Sequence, residues 1–578
     1  MHASLSTWLH TLRFLRREQI AGQLRQRLRA RLERPARFLA REVPPDPGCR
    51  WRPVAAFAPP GPQRNPAAAL ARGRFSFVGR EEDLGFPPAW SHPELPRLWQ
   101  YHLHYFEWLW ALPLAEARAV VRDWIAQHGL ARGRVGWEPY PTSLRLSSWC
   151  AFFFGRHREE LAADAAFRAG LWASIYRQAE WLRGHLETHL LGNHLLENAA
   201  ALALCGACFG GGAAREWLRT GCELLSRELP EQILEDGGHF ERSPMYHGRA
   251  VAVLTALQNA GEPALRGLVE APLERAVLAA SRLCHPDGEI ALLNDSAFGA
   301  AADPAALCAG WARVAGRPAP EPPGLSRPEV FALPRTGYYG ARTPEGHYLV
   351  CDAAPIGPDY LPGHAHGDLF SFELSLSGHR VIRDSGVHGY EEDELRRYCR
   401  STRAHNTVEI EGADQGEFWS VFRVGRRGRP RGVAFEETGD GFRLAGRHDG
   451  YERLPGRPRH RRAFAWHHRG ALLVRDEVQA GRPVRAASRL HLHPGCEVVA
   501  QDERSARLRH PGGEVAIAFA GPGRLGLEDS WYCPEFGQAL PGQALVYSAA
   551  GARIAMGFAL VGGSLDDARA LSQSLLHP

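Results

Sequence analysis

A proline-rich break from Arg317 to Pro334 separates two stretches of opposite texture, and one uniform architecture cannot accommodate both. Upstream, from about 90 to 312, long Ala/Leu/Arg/Glu segments such as Pro113 to His128, Arg158 to Leu191 and Ala214 to Leu234 are separated by Gly or Pro, the pattern of a helical array. Downstream, short alternating segments recur between turn residues: His347–Asp352, Ser371–Ser377, Arg380–Asp384, Thr407–Glu411, Ala471–Asp476, Glu514–Phe519 and Ala544–Ser548. Evenly spaced strands of this kind predict an antiparallel sandwich. At 578 residues the chain exceeds what a single core serves, so helices first and strands second imply a multidomain α+β protein. A second proline-rich run over 42–66 (Pro44, Pro45, Pro47, Pro53, Pro59, Pro60, Pro62, Pro66) reads as a linker. The expected division is 1–66, a basic helix and linker; 67–330, helical; and 331–578, the sandwich.

Composition narrows the class. With 44% hydrophobic and 23% charged residues the chain is an ordinary globular protein. Residues 1–41 hold ten Arg and two Glu, so the net charge of +5 divides into +8 there and −3 over the rest. The main body therefore gives no reason to expect nucleic acid as a partner. Leu5, Trp8, Leu9, Leu12, Ile20, Leu24, Leu28 and Leu32 recur at three- and four-residue steps, an amphipathic helix with an Arg-rich polar face. Such a helix suits peripheral contact with an anionic membrane, and equally packing on its own protein with a solvated basic face. Met1 to Arg17 lacks the apolar core and cleavage site of a signal peptide, so the expected location is the cytoplasm or the inner membrane surface. Eleven cysteines follow no framework spacing, and Cys205-Gly-Ala-Cys208 sits in an apolar helical run, where it reads as core packing.

Chemistry concentrates in Gly363-His364-Ala365-His366-Gly367-Asp368, with Asp384 and Ala404-His405-Asn406-Thr407 downstream. On an extended chain residues i and i+2 share a face, so His364 and His366 begin on one side and the flanking glycines let the loop aim them apart. Three histidines and a carboxylate supply the residue types of a zinc site and one spare imidazole. Hydrogen-bonded histidines at strand ends would satisfy the same spacing. Upstream, Asn193, His194 and Glu197 head an apolar helix, with His194 and Glu197 on one face. A carboxylate there can fix the imidazole tautomer, and helix capping by Asn193 is the structural alternative. Tyr246 follows Ser243-Pro244-Met245, where proline sets up a turn.

The runs His364-Ala-His-Gly-Asp-Leu-Phe-Ser-Phe-Glu-Leu, Arg383-Asp-Ser-Gly and Arg403-Ala-His-Asn-Thr-Val, with Tyr398 between the last two, resemble the C-terminal domain of the heparinase II/III family. That family comprises polysaccharide lyases built as an α/α toroid followed by a β-sandwich. The resemblance extends to Gly192-Asn-His-Leu-Leu-Glu-Asn198 and Glu241-Arg-Ser-Pro-Met-Tyr-His247, and more weakly to Trp99-Gln-Tyr-His-Leu-His-Tyr-Phe-Glu107 and Tyr140-Pro-Thr-Ser-Leu-Arg145, over roughly residues 75 to 575. It implies that Asn193, His194, Tyr246 and His364 are catalytic. It also implies that His366, Asp384 and His405 bind a structural zinc beside the cleft, with Asp368 as partner of one of the histidines. Relatives in this family are often exported, which adds the periplasm to the expected locations.

These groups suit elimination. Removing the C5 proton of a uronate requires that its carboxylate be neutralised and that a base and an acid flank C5 and the glycosidic oxygen. An amide, two imidazoles and a phenol meet that need. Glu197, Arg145, Trp99 and Arg403 are the expected substrate contacts, the arginines gripping acidic groups and the tryptophan, within an aromatic segment that is mostly core, stacking on sugar. The expected function is therefore a polysaccharide lyase acting on an acidic polymer. A hydrolase that trims exopolysaccharide on the same fold, using two carboxylates about 5–10 Å apart, and a non-catalytic glycan-binding protein are the alternatives.

Overall fold

The computed structural model describes residues 4–32, 35–61, 64–131, 134–320 and 325–575. Its helices between 97 and 315 pack in two layers. Arg97–Tyr105, Pro139–Trp149, Gly192–Cys208, Pro244–Asn259 and Pro304–Ala315 each touch the next and form an inner layer. Leu114–Gln127, Ala165–Gly184, Gly211–Gln232 and Pro263–Arg282 form an outer layer in the same way. The chain alternates between the layers, the winding of an α/α toroid. Burial on every side explains the composition of the inner helices: in Gly192–Cys208 every residue except His194 is buried. Its alanines let the outer helix approach so closely that a Cβ on Gly221 would lie 2.7 Å from that of Ala203. Cys205 and Cys208 are part of this packing, as expected, with the Cys150 Sγ 3.8 Å from that of Cys205.

Several inner helices begin with proline at the first turn, where its fixed φ fits and its missing N–H costs nothing. Pro139, Pro244 and Pro304 occupy such positions.

The proline-rich segment is not a free spacer. Trp51 is buried, the Trp172 Nε1–H donates to Pro44 O at 2.8 Å, and Arg50 N donates to Cys208 O at 2.7 Å, so the run lies against the helical layers. Pro62 lies outside the described residues.

Beyond 328 two antiparallel sheets face each other. The smaller takes its strands in chain order: Glu329–Leu333, Tyr338–Arg342, Tyr348–Asp352, Phe372–Leu376 and His379–Ile382. The larger has ten strands centred on two long neighbours, Ala471–His491 and Leu540–Gly562. Phe372 of the small sheet meets Phe464 and Phe558 of the large one at ring separations of 5.9 and 6.2 Å, which marks the sandwich core. The expected strand Ala471–Asp476 is the first third of a longer one. A register shift between Gln479 and Val484 bends it while it stays in the sheet. Inside the sandwich, Arg462 pairs with Asp476 at 2.7 and 2.9 Å and donates to the carbonyls of Phe370 and Asn406, so a buried cation ties both histidine-bearing loops to the sheet.

The small sheet also packs on the helical domain. Ala279, Leu283, Ala291 and Leu293 share a core cluster with Phe331, Leu333, Tyr338 and Tyr348. The stretch 283–300, which leaves the last outer helix, therefore runs along the domain junction.

The expected N-terminal helix is two helices, Leu5–Leu12 and Arg17–Leu32, packed on the body of the protein. The leucine stripe points the other way: Leu5, Leu9, Leu24, Leu28 and Leu32 are all exposed. No helix among the described residues is long and apolar enough to cross a membrane.

Candidate active site

Three consecutive inner helices start at one cleft of about 630 Å³. Their first turns bring in Tyr140, Asn193 with His194, and Tyr246, and the sandwich supplies His364, Tyr390 and Phe422 from the opposite side. Helix N-termini carry partial positive charge, and Arg97, Arg249 and Arg423 add full charges to the lining. Glu391 is the one carboxylic acid among the described residues that line the cleft.

Tyr246 and His364 meet across the domain junction. Their rings stack at 4.0 Å, and the Tyr246 hydroxyl hydrogen-bonds that of Tyr390 at 3.0 Å. Burial pushes the Tyr246 phenol well above its ordinary value of 10.0, so it stays protonated. His364 Nδ1 hydrogen-bonds Asp295 Oδ2 at 2.9 Å, which leaves Nε2 toward the cleft, 3.5 Å from the Glu241 carboxylate. His194 lies on the helical side, its ring 4.4 Å from Tyr140 and its Nδ1 on Glu187 at 3.0 Å. Burial alone would lower the His194 pKa, but Glu187, with Glu241 and Glu197 behind it, raises it above 6.5. Asn193 is held by Glu241, which accepts its backbone N–H at 2.9 Å and its side-chain amide at 3.0 and 3.1 Å.

This tight corner depends on special backbone. Leu191, Arg242 and Asn294 all have positive φ. Gly192 has φ +57°, and a Cβ there would lie 2.3 Å from Leu361 and 2.7 Å from Glu241. Only glycine lets the helix start this close to the carboxylate that holds Asn193.

Asp295, absent from the sequence-based set, organises the site. It is fully buried on the junction stretch and accepts from His364 and from His366 Nε2 at 2.8 Å. Arg396 donates to both of its carboxylate oxygens, one at 2.9 Å. Burial would raise its pKa, but Arg396 and the two histidines outweigh that and hold it well below 3.8. Its backbone acts as well: Asp295 N donates to His364 O at 3.0 Å, and Asp295 O accepts from the Ser243 hydroxyl at 2.6 Å. Ser243 caps the helix that carries Tyr246. An apolar run, Ala291-Leu-Leu293, ending in Asn-Asp-Ser was the available signal, and it reads as an ordinary turn.

Of the expected metal residues, His366 and His405 are neighbours, with ring centroids 5.3 Å apart, and Asp384 pairs with His405, accepting from its Nδ1 at 2.7 Å. Each imidazole thus has one nitrogen fixed by a carboxylate, and His366 Nδ1, His405 Nε2 and Asp368 Oδ2 are left buried without hydrogen-bond partners. Burial lowers His366 to about 3, so it is a neutral imidazole, and raises Asp368 to about 6 against the pull of His405. Among the described residues no three such side chains converge as a complete metal cage. The partnerless atoms nevertheless fit a cation that prefers nitrogen and oxygen donors.

Four expected substrate contacts lie elsewhere. Arg145 is fully buried, bonded to Gln178 at 2.7 Å and His104 O at 3.1 Å and stacked on Trp124, so it braces the helical core. Trp99 is also fully buried, its Nε1–H on Arg80 O. Arg403 is half-exposed, faces Glu528 at 3.6 Å and does not line the cleft. Glu197 points one helical turn deeper, into a second cavity shared with Glu107 and Arg249, where burial pushes its pKa up to about 7. Spacing and residue type put these side chains near the motifs, but helix phase turned Arg145, Trp99 and Glu197 inward, and Arg403 faces outward. Of the aromatic segment, Tyr101 and Tyr105 reach the cleft; Arg400, close to Arg403 in sequence, donates to loop carbonyls of Ala365, Ser420 and Val421.

Comparison with known proteins places this geometry. The family model for the heparinase II/III N-terminus matches residues 101–315, and that for the heparinase II/III-like C-terminal region matches 326–560. A heparin-sulfate lyase of Pedobacter heparinus is 28% identical over 353 residues, 54% of this chain and 52% of the relative. The chain thus spans about half the length of that curated relative. The FtsZ-localized protein C of Caulobacter vibrioides is 26% identical over 450 residues, 71% of this chain and 72% of its own. The crystal structure of a heparan sulfate lyase mutant from P. heparinus superposes with a TM-score of 0.62 at 21% identity, covering 92% of this chain and 87% of that one. At that identity the likeness speaks for the fold.

Asp295→Ala leaves the Arg396 charge buried and unpaired, so chemical denaturation is expected to record a loss of about 3–5 kcal/mol. A loss under about 1 kcal/mol, the range of surface pairs, would contradict its place at the centre of the site.

Proposed function

We propose that this chain, which belongs to the heparinase II/III family through both of its domains, is a polysaccharide lyase that cleaves a uronate-containing, glycosaminoglycan-like polymer by β-elimination. The observation that carries the reading is the Tyr246–His364 pair: a phenol kept protonated, stacked on an imidazole whose other nitrogen is pinned by a buried acid. Among the described residues that line the cleft Glu391 is the one carboxylic acid, and Glu241 behind the lining is committed to Asn193, which disfavours the two-carboxylate hydrolase alternative.

In this reading the uronate carboxylate sits at the helix N-termini of the toroid, where the His194 imidazolium neutralises it and the Asn193 amide leaves Glu241 to join it. His364 Nε2 takes the C5 proton. The C4–O bond breaks, C4 and C5 become doubly bonded, and the departing oxygen takes the Tyr246 proton. No water is consumed. Arg97, Arg249 and Arg423 draw the acidic chain into the cleft.

A zinc ion held by His366, His405 and Asp368 would complete the reading, because it would satisfy the buried partnerless atoms, whereas Asp384, expected as a ligand, has its oxygens committed to His405 and Gly386. Bound there it would supply positive charge and stiffness to the loop that carries His364. Asp295 and Asp384 each fix one nitrogen of His366 and His405, which would leave the other nitrogen free for the ion.

One observation favours a second reading, a glycan-binding protein without lyase chemistry. The Caulobacter relative, which spans more of this chain than the Pedobacter lyase does, is named for its localisation with FtsZ and not for a reaction.

Two tests follow from these roles. Tyr246→Phe is expected to keep its melting temperature and to lose about 10²–10⁴-fold in turnover on the cleaved uronate polymer, the usual weight of one acid–base group. Turnover near wild type would remove Tyr246 from the reaction and favour the second reading. Elemental analysis is expected to find one zinc per chain, lost in His366→Ala together with part of the thermal stability, since metal binding in a folded site adds to folding free energy. Fully active protein free of metal would overturn the zinc assignment.

A further inference from the structure

The cleft has a wall that lies outside both matched regions, which begin at residue 101. Leu15, from the turn between the N-terminal helices, and Gln19 and Gln23, from the second of them, line it next to His189, Leu191 and Tyr360. The arm formed by residues 5–32 is anchored on both domains. On the sandwich side, the Trp8 and Trp419 rings lie 4.6 Å apart, the Trp419 Nε1–H donates to the Thr11 hydroxyl at 3.1 Å, and Arg426 donates to the Ser6 hydroxyl at 2.7 Å. On the helical side, Arg16 donates to Glu231 at 2.9 Å, and Gly22 approaches His189 so closely that a Cβ would lie 2.8 Å from its backbone nitrogen.

The two anchorages meet at Tyr360. The Arg16 guanidinium lies 3.7 Å from its ring centre, Gln19 Nε2 donates to its carbonyl at 3.2 Å, and its hydroxyl donates to Glu231 at 2.9 Å. Gln19 is buried although the opposite face of its helix is exposed, so the polar side is the one used for docking. Tyr360 stands four residues before His364 on the same loop. Tyr246 and His364 belong to different domains, so their stacking distance is set by whatever fixes that loop against the helical domain.

We propose that the N-terminal arm is the third wall of the substrate cleft and the latch that sets its width, with Arg16, Gln19 and Tyr360 as positioning residues. The identity of the polymer inside rests on the lyase reading; the latch does not. A uronate chain entering the cleft passes the Gln23 side chain, whose amide offers both donor and acceptor to sugar hydroxyls, while Gln19 holds the arm in place. The arm thereby also contributes to which sugars are accepted.

The test is hydrogen exchange on the full-length chain, comparing wild type with Arg16→Ala/Gln19→Ala and, at the other anchorage, Trp8→Ala. Both variants are expected to exchange several-fold faster in 5–32, 189–194 and 360–364, while the central strand Ala471–His491 and the melting temperature stay as in wild type. Where wild type cleaves a uronate polymer, the variants should raise KM several-fold with kcat less affected. Faster exchange confined to 5–32 would overturn the latch, since it would mean that the arm only rests on the surface. Absence of cleavage by wild type would sink the lyase reading alone, and exchange at 360–364 would still decide the latch.

Discussion

One buried carboxylate holds the two halves of this site together. Asp295 receives Arg396, His364 and His366 on its side chain, ties its N–H to the His364 carbonyl, and offers its own carbonyl to the cap of the Tyr246 helix. An ion of this kind is costly to bury and is tolerated only when every lone pair is used. Here the cost is offset by bonds that run to both domains, so the same interactions that stabilise Asp295 fix the distance between a phenol and an imidazole. The two rings could not be positioned from within either domain alone.

The toroid contributes direction. Its inner helices begin at the cleft, so Tyr140, Asn193, His194 and Tyr246 come from first turns and the helix termini point at the same space. Positive helix ends, an imidazole with raised pKa and three arginines make a setting for an anion, whereas the adjoining cavity around Glu107 and Glu197 is mostly apolar in its lining. In the proposed lyase reaction, substrate charge and site charge are thereby matched before any proton moves. The sandwich contributes rigidity: Arg462 clamps the carbonyls of Phe370 and Asn406, which lie on the two loops bearing His366 and His405.

Much of this was legible in the sequence, for identifiable reasons. The proline breaks and the change from helical to alternating texture gave the domain order, and Gly-flanked His-x-His marked a loop with the residue types for a site, although hydrogen-bonded strand-end histidines fit the same spacing. The residues missed or misassigned share one cause: helix phase and long-range partners are not local properties. Arg145 and Trp99 sit in motifs yet face the core, because the inner helices are covered on all sides. Asp295 has no spacing signature, since its partners lie at least 52 residues away and its neighbours read as a turn. The linker looked free because proline suggests a spacer, and nothing local reveals that Trp51 fills a hole between helices.

The central claim is elimination without water at the Tyr246–His364 pair. The most direct measurement is mass spectrometry of the products formed from uronate polymers in ¹⁸O-labelled water. The account predicts fragments that bear an unsaturated uronate at the new non-reducing end and carry no label from the solvent at the cleaved bond. Saturated fragments that have gained one labelled oxygen would contradict it, because they would mean that water had attacked and that the chain is a hydrolase.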